Sequence, residues 1–320
     1  MEISVIGCGR WGSFIAWYLN KIGHSVLLYG REGSKHMKQF QETRTNGLVS
    51  LPAKITLTTN LEEVMSNDVI IISVDSQGLR GLMNEITRHS PLNKIFVLCM
   101  KGLEISTGKR LSEVAAEYVG QNNNIAVWLG PGHVQEFLGG IPNCMVIDSE
   151  NKEVKEKLID EFSNELIRFY IGEDLIGNEI GAAAKNVIGI AAGMLDGLKL
   201  SSLKGALMSR GTREISRLIK ALGGNELSAY GLCHLGDYEA TIFSEFSHNR
   251  KFGEMHVKGE KFDRLAEGYY TAKALQKMSA EYEVELPICD AVYKVLYEGK
   301  PASEVLQNLF LRSLKTEFWS

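Results

Sequence analysis

One lysine stands alone in a long apolar stretch. From Gly181 to Met194 the chain reads Gly181-Ala182-Ala183-Ala184-Lys185-Asn186-Val187-Ile188-Gly189-Ile190-Ala191-Ala192-Gly193-Met194, and Lys185 is its one charged residue. At helical spacing Gly181, Lys185, Gly189, Ala192 and Asp196 share a face, so the lysine rises from a floor of small side chains that leaves room for a ligand. Partial burial lowers a lysine's pKa, which makes the ammonium a competent proton donor near neutrality. The competing reading is a lysine whose stem packs in a core while its head reaches water. On this segment alone the two stand level.

A second segment suits a dinucleotide. Gly7-Cys8-Gly9-Arg10-Trp11-Gly12 follows an apolar run at residues 2–6 and opens a helical pattern, with a further strand at residues 24–29. That context makes G-x-G-x-x-G informative. Gly7 permits the tight turn, Gly9 lets the backbone approach a pyrophosphate, and Gly12 lets helix and strand pack closely. The pyrophosphate then meets unpaired N–H groups at the helix N-terminus, where Arg10 and Trp11 stand. After the second strand comes Gly30-Arg31-Glu32. Arg31 can pair with a 2′-phosphate, which favours NADP over NAD, whereas Glu32 can serve the NAD ribose. The alternative for Arg31 is a solvated turn residue.

These groups need a scaffold. Residues 69–74, 95–99 and 125–129 are further apolar runs, with helical stretches at 78–88 and 109–119 between them. Alternating strands and helices predict an α/β domain, a Rossmann-type doubly wound parallel sheet. After about residue 172 strand signals nearly vanish, and helices are expected at 175–196, 203–222, 225–233 and 262–281. The chain is thus read as a dinucleotide-binding domain at 1–172 and an all-α domain at 173–320 that holds the substrate.

Composition narrows the partners. A net charge of -4 over 320 residues offers nothing to attract nucleic acid or an anionic membrane surface. The five scattered cysteines include no C-x-x-C, which fits reduced thiols and no metal site. Met1-Glu2-Ile3-Ser4 carries an acid where a secretion signal would be positive, so a cytoplasmic protein is expected. The expected partner is a small molecule.

The lysine block resembles the active-site helix of the NAD(P)-dependent glycerol-3-phosphate dehydrogenases, G-[GA]-A-x-K-N-V-I-A-I-A-A-G. Met100-Lys101-Gly102-Leu103-Glu104, Gly130-Pro131, Arg210-Gly211, Gly231-Leu232 with Leu235-Gly236-Asp237, Ser247 with Asn249-Arg250 and Phe252-Gly253, and Glu267-Gly268 match other family segments in the same order. The matches span nearly the whole chain. The resemblance implies a homodimer that reduces dihydroxyacetone phosphate with NADPH or NADH. It implies that Lys185 exchanges the proton, that Asp237 holds the ammonium, and that Lys101 sits near the nicotinamide. It further implies that Gly130, Asn186 and Thr241 lie against the substrate, that Ser247, Asn249 and Arg250 grip its phosphate, and that Glu267 touches the nicotinamide side.

Four features depart from the family pattern. His248 replaces an arginine, Gly132 replaces a Ser or Thr, Leu200–Leu207 lacks an asparagine, and Glu239 places an acid beside the anion site. Arg250, Lys204 or a protonated His248 are the expected compensations. Two alternatives stay open: a paralogue reducing another hydroxy-ketone or sugar-derived phosphate, and a non-catalytic dinucleotide sensor.

Overall fold

Val69-Ile70-Ile71-Ile72 is apolar throughout because both its faces are covered, and every residue of this strand is buried in the computed structural model, which describes residues 1–313, 316 and 317. The sheet comprises β1 (Glu2–Ile6), β2 (Ser25–Tyr29), β3 (Thr56–Thr58), β4 (Val69–Ile72), β5 (Ile95–Leu98), β6 (Asn124–Leu129), β7 (Asn143–Ser149) and β8 (Ile167–Ile171). Their spatial order is β3-β2-β1-β4-β5-β6-β7-β8. Strand order reverses between β1 and β4, so the carboxyl ends of these two strands flank a crevice suited to a ligand.

Helices α1 (Arg10–Lys21), α2 (Lys35–Thr43), α3 (Leu61–Val64), α4 (Leu79–Thr87), α5 (Leu111–Val119), α6 (Val134–Leu138) and α7 (Lys152–Phe162) cover the sheet. Phe14, Phe40, Phe137 and Phe162 seal one face, and Val64, Met83, Ile86 and Val114 seal the other. The doubly wound reading therefore holds, with one correction: β7 runs antiparallel to β6. Strands β3, β7 and β8 escaped the sequence reading. β3 is three residues long at an edge, and β8 alternates buried and exposed positions rather than forming an apolar run.

The rest is helical: α8 (Leu175–Gly197), α9 (Lys204–Ala221), α10 (His248–Val257), α11 (Glu267–Glu281), α12 (Pro287–Tyr297) and α13 (Ala302–Phe310). Asp174 starts α8 by accepting from Gly177 N–H at 3.0 Å. Two expected helices are corrected. Residues 226–230 form a short 3₁₀ turn, and residues 262–266 lie outside α11 in irregular backbone, where the Leu265 carbonyl accepts from His248. Among the described residues no helix is long and apolar enough to cross a membrane.

Helices α8 and α10 cross at backbone contact. A Cβ on Gly193 would stand 1.8 Å from the Arg250 carbonyl oxygen, and one on Gly253 would stand 2.1 Å from that of Ile190. Alanine is the better helix former by about 1 kcal/mol. Relieving the clash requires α10 to shift, and overpacking against backbone falls at the upper end of the usual cost, about 3 kcal/mol. Gly193→Ala is therefore expected to lower the urea midpoint; an unchanged or higher midpoint would contradict the crossing.

Candidate active site

The glycine turn shows which constraints are internal and which come from a ligand. Gly7 has φ +111°, and a Cβ there would lie 2.1 Å from the Ser73 carbonyl oxygen. A Cβ on Gly12 would lie 1.9 Å from the Gly7 carbonyl oxygen. Both glycines are demanded by the protein's own packing. Gly9 differs: its φ is an ordinary -72°, and a Cβ there would meet nothing within 4 Å. The open space beside it, over an uncapped helix N-terminus with no acid in the first turn, is a cradle that a side chain would fill. Trp11 packs its ring on Phe14 and Phe137 beside this turn. Arg31 is exposed just beyond the end of β2. These residues fit a dinucleotide.

Lys185 is buried at 7% exposure, with its Nζ 2.9 Å from Asp237 Oδ2 and donating to Thr241 Oγ1 at 2.8 Å. Burial brings its pKa down to about 8 against the opposing pull of Asp237, with Lys101 adding to the fall. Asp237 Oδ2 also receives Lys101 Nζ at 2.7 Å, and Lys101 donates in addition to the Gly130 carbonyl. Asp237 Oδ1 is buried without a partner. A carboxylate thus binds two ammonium groups through one oxygen and leaves the other unpaired. Lys101 follows β5, so this cluster lies on the sheet's carboxyl edge.

The predicted residues are brought together, although several touch one another instead of facing open space. Asn186 donates to the Lys101 carbonyl at 2.7 Å and accepts from Asn249 at 3.0 Å. Asn249 in turn accepts from Gly268 N–H at 2.9 Å. Both ends of these amides are engaged, so each holds the site in register. Ser247 caps α10 by accepting from Arg250 N–H. Glu267 accepts from Ser76 N–H and Oγ, and burial pushes its pKa up to about 7. Arg250 is not brought to the site: its guanidinium binds Asp196 at 2.8 Å and the Ser244 carbonyl at 3.1 Å. Lys204 likewise binds Asp196, at 2.7 Å. Burial and the charge on Arg10 lower the His248 pKa, which disfavours its protonated form. None of the three expected compensations is therefore in place.

The small-residue floor has a different cause from the one expected. A Cβ on Gly181 would lie 2.9 Å from that of His234, and one on Gly189 would lie 2.6 Å from Thr241 Cγ2. Protein occupies the space. It is the segment around Asp237 and the π-turn Glu239–Phe243 that press onto α8, which is how they reach the lysine.

Sequence reasoning missed His133. Its Nε2 is buried without a partner, its ring lies edge-on to Phe246, and burial followed by the charges of Lys185 and Arg10 pushes its pKa down to about 4. The one available signal was its place two residues after Pro131 in the turn that follows β6.

A pyrophosphate cradle at a sheet switch point, facing a lysine held by a carboxylate, defines a nicotinamide-dependent oxidoreductase. The comparisons with known proteins narrow that class. Residues 2–155 match the NAD-dependent glycerol-3-phosphate dehydrogenase N-terminus and residues 174–307 its C-terminus. The chain belongs to this family. It is 36% identical to "Glycerol-3-phosphate dehydrogenase [NAD(P)+]" of a Thermoanaerobacter species, with 99% of each chain covered. It is 37% identical to the protein of the same name from a Thermotoga species, with 100% of each covered. The crystal structure of glycerol-3-phosphate dehydrogenase from Coxiella burnetii superposes with a TM-score of 0.91 at 28% identity, covering 97% of this chain and 99% of that one.

Proposed function

We propose that the chain interconverts dihydroxyacetone phosphate and sn-glycerol 3-phosphate using NAD(P)H. The observation that carries this reading is the buried Lys185–Asp237–Lys101 cluster, with one carboxylate oxygen left free, at the carboxyl edge of a sheet whose switch point carries the glycine cradle. The relatives' names and the matched segments along the whole chain support it.

The turn from Gly7 to Gly12, with Arg10 and Trp11, would hold the dinucleotide's phosphates. Arg31 would meet a 2′-phosphate, which favours NADP, and Lys101 and Glu267 would border the nicotinamide. The bound dinucleotide supplies a hydride to the carbonyl carbon. Lys185 acts on the oxygen: an Nζ–H bond breaks as the O–H bond forms, and in reverse the free amine takes that proton back. Thr241 and Asp237 aim the ammonium, and Lys101 adds positive potential where negative charge develops. Asn186, Asn249 and Ser247 fix the wall around the substrate. The division into a dinucleotide unit at 1–172 and a substrate unit at 173–320 belongs to this proposal, as do a homodimeric state and a cytoplasmic location.

Purified protein with NADPH or NADH and a panel of carbonyl phosphates, followed at the cofactor's absorbance, tests the reading. Dihydroxyacetone phosphate is expected to give the highest kcat/KM; a large advantage for another compound would favour the paralogue. The Lys185 pKa of about 8 sets the pH dependence. Reduction needs the ammonium, so its kcat/KM falls as pH rises through about 8, whereas oxidation needs the free amine and rises over the same window. Profiles sloping the same way in both directions would remove Lys185 from proton transfer.

A further inference from the structure

Both groups that bind the Lys185 ammonium, Asp237 and Thr241, hang from one short segment. It runs through a 3₁₀ turn at Leu235–Asp237 into the π-turn at Glu239–Phe243. Turns of this kind have poor hydrogen-bond geometry and little length, so what places the carboxylate is whatever fastens the segment to its neighbours.

His234 supplies a fastening outside the ionic cluster. It is fully buried, with Nδ1 2.9 Å from the Gly181 carbonyl oxygen on α8 and Nε2 2.7 Å from the Tyr238 hydroxyl. Burial pushes its pKa down to about 4 against the pull of the Gly181 carbonyl, so the ring is neutral. A carbonyl oxygen only accepts, which puts the one ring proton on Nδ1 and makes Nε2 the acceptor of the tyrosine O–H. The two rings meet edge-on with centroids 4.8 Å apart. Tyr238 is itself fully buried, and its hydroxyl abuts α9, where a Cβ on Gly211 would stand 3.2 Å from it. A relay thus runs from α8 through an imidazole to a phenol against α9, and Asp237 lies in sequence between its two members.

Gly181 precedes Lys185 by one helical turn, about 6 Å along the axis. The segment is therefore held to α8 at two levels. His234 holds it at Gly181, while Asp237 and Thr241 hold it at the lysine, and Thr241 Oγ1 also donates to the Asp237 carbonyl at 2.7 Å. Only the second level involves the ammonium that exchanges a proton. We propose that His234 and Tyr238 are positioning residues whose buried relay keeps the Asp237 carboxylate against Lys185. The proposal rests on the dehydrogenase reading, in which that lysine is the proton donor.

The consequence is a pH effect. The titratable groups facing Lys185 are Asp237 and Cys233 on the segment, Lys101 from the end of β5 and His133 from the turn after β6. Burial pushes the Cys233 thiol well up, so Asp237 is the one anion among them. Loosening it lowers the lysine pKa below about 8, and the alkaline limb of the reductive profile moves to lower pH.

His234→Ala, His234→Asn and Tyr238→Phe test the relay. Each is compared with the wild type for urea midpoint, NADPH affinity and the pH profile of kcat/KM on dihydroxyacetone phosphate. Lys185 is also titrated directly by NMR of lysine labelled at the ε-carbon, with Lys185→Arg identifying its signal. In His234→Ala the alkaline limb and the NMR midpoint are expected to fall together by roughly one pH unit. A shift of that size lowers reduction about fivefold near pH 8 and less than about twofold near pH 6, with NADPH affinity unchanged. His234→Asn recovers most of the shift, because its amide still donates to the Gly181 carbonyl, and Tyr238→Phe gives a smaller displacement in the same direction. Activity lost equally at both pH values with an unmoved NMR midpoint would mean that the pair serves packing alone, which overturns the proposal. A His234→Asn profile displaced as far as that of His234→Ala overturns it too. Should His234→Ala not fold, Tyr238→Phe, which keeps the ring, decides by the same two midpoints. If the wild type reduces no carbonyl phosphate, the dehydrogenase reading fails, and the NMR midpoints alone decide whether the relay holds Asp237 to the lysine.

Discussion

Lys185→Ala is expected to reduce turnover of dihydroxyacetone phosphate by roughly 10³- to 10⁴-fold, the range removed with a positioned general acid. NADPH affinity should change little, because Nζ contacts Asp237 and Thr241 and lies outside the glycine turn. The fold should survive, since Asp237 keeps Lys101 as its counter-ion. Lys185→Arg is not expected to restore activity: a guanidinium does not release a proton near neutrality, and its planar fork does not fit a slot bounded by Asp237 and Thr241. Steady-state kinetics together with NADPH titration checks both halves of the claim. Turnover unchanged in Lys185→Ala would reject the proton-transfer role, and tight NADPH binding without turnover in the wild type would favour a sensor.

Asp237→Asn carries the second large effect, by a different route. Asp237 is the strongest influence raising the Lys185 pKa against burial. An amide removes that support and leaves the ammonium groups of Lys101 and Lys185 beside each other with no counter-charge. The lysine pKa then falls below about 8, so the alkaline limb of the reductive profile, where activity is lost as the ammonium deprotonates, shifts toward lower pH. The turnover lost near neutrality should be about 10²- to 10³-fold, as for other removed electrostatic partners. Breaking a buried ion pair by deleting one member also costs about 3 kcal/mol or more, which a urea titration would detect. A normal midpoint with an unshifted pH profile would mean that Asp237 is not the lysine's partner in solution.

The chemistry was more legible in the sequence than its support. Gly7 and Gly12 announced themselves because each answers a local steric need, Gly9 did so by its spacing between them, and Lys185 because a lone charge in an apolar helix is conspicuous. The small residues around it were read correctly as a sign of close approach but were assigned the wrong visitor. At Gly181 and Gly189 the neighbours are His234 and Thr241, about fifty residues further along the chain, and no local pattern announces them. The same distance hid the relay from Lys101 through Asn186 and Asn249 to Gly268. Arg250 had the right charge for a phosphate, yet Asp196, one face of a helix away, claimed it first. Strand β8 was missed because one side of it meets water, and β7 because polar residues at both ends, Asn143 and Asp148-Ser149, shorten its apolar run.

The position of α8 bears on how the two halves of the molecule move. Its early turns are rooted in the α/β half: Glu179 accepts from Ser112 and Arg110 at the start of α5, and Ala182 packs among the apolar residues of the sheet's core. Its later turns form the spine of the helical half. A rod embedded at both ends leaves no swivel at the junction. The lysine, midway along that rod, is therefore expected to keep one height above the strands whether or not reactants are bound.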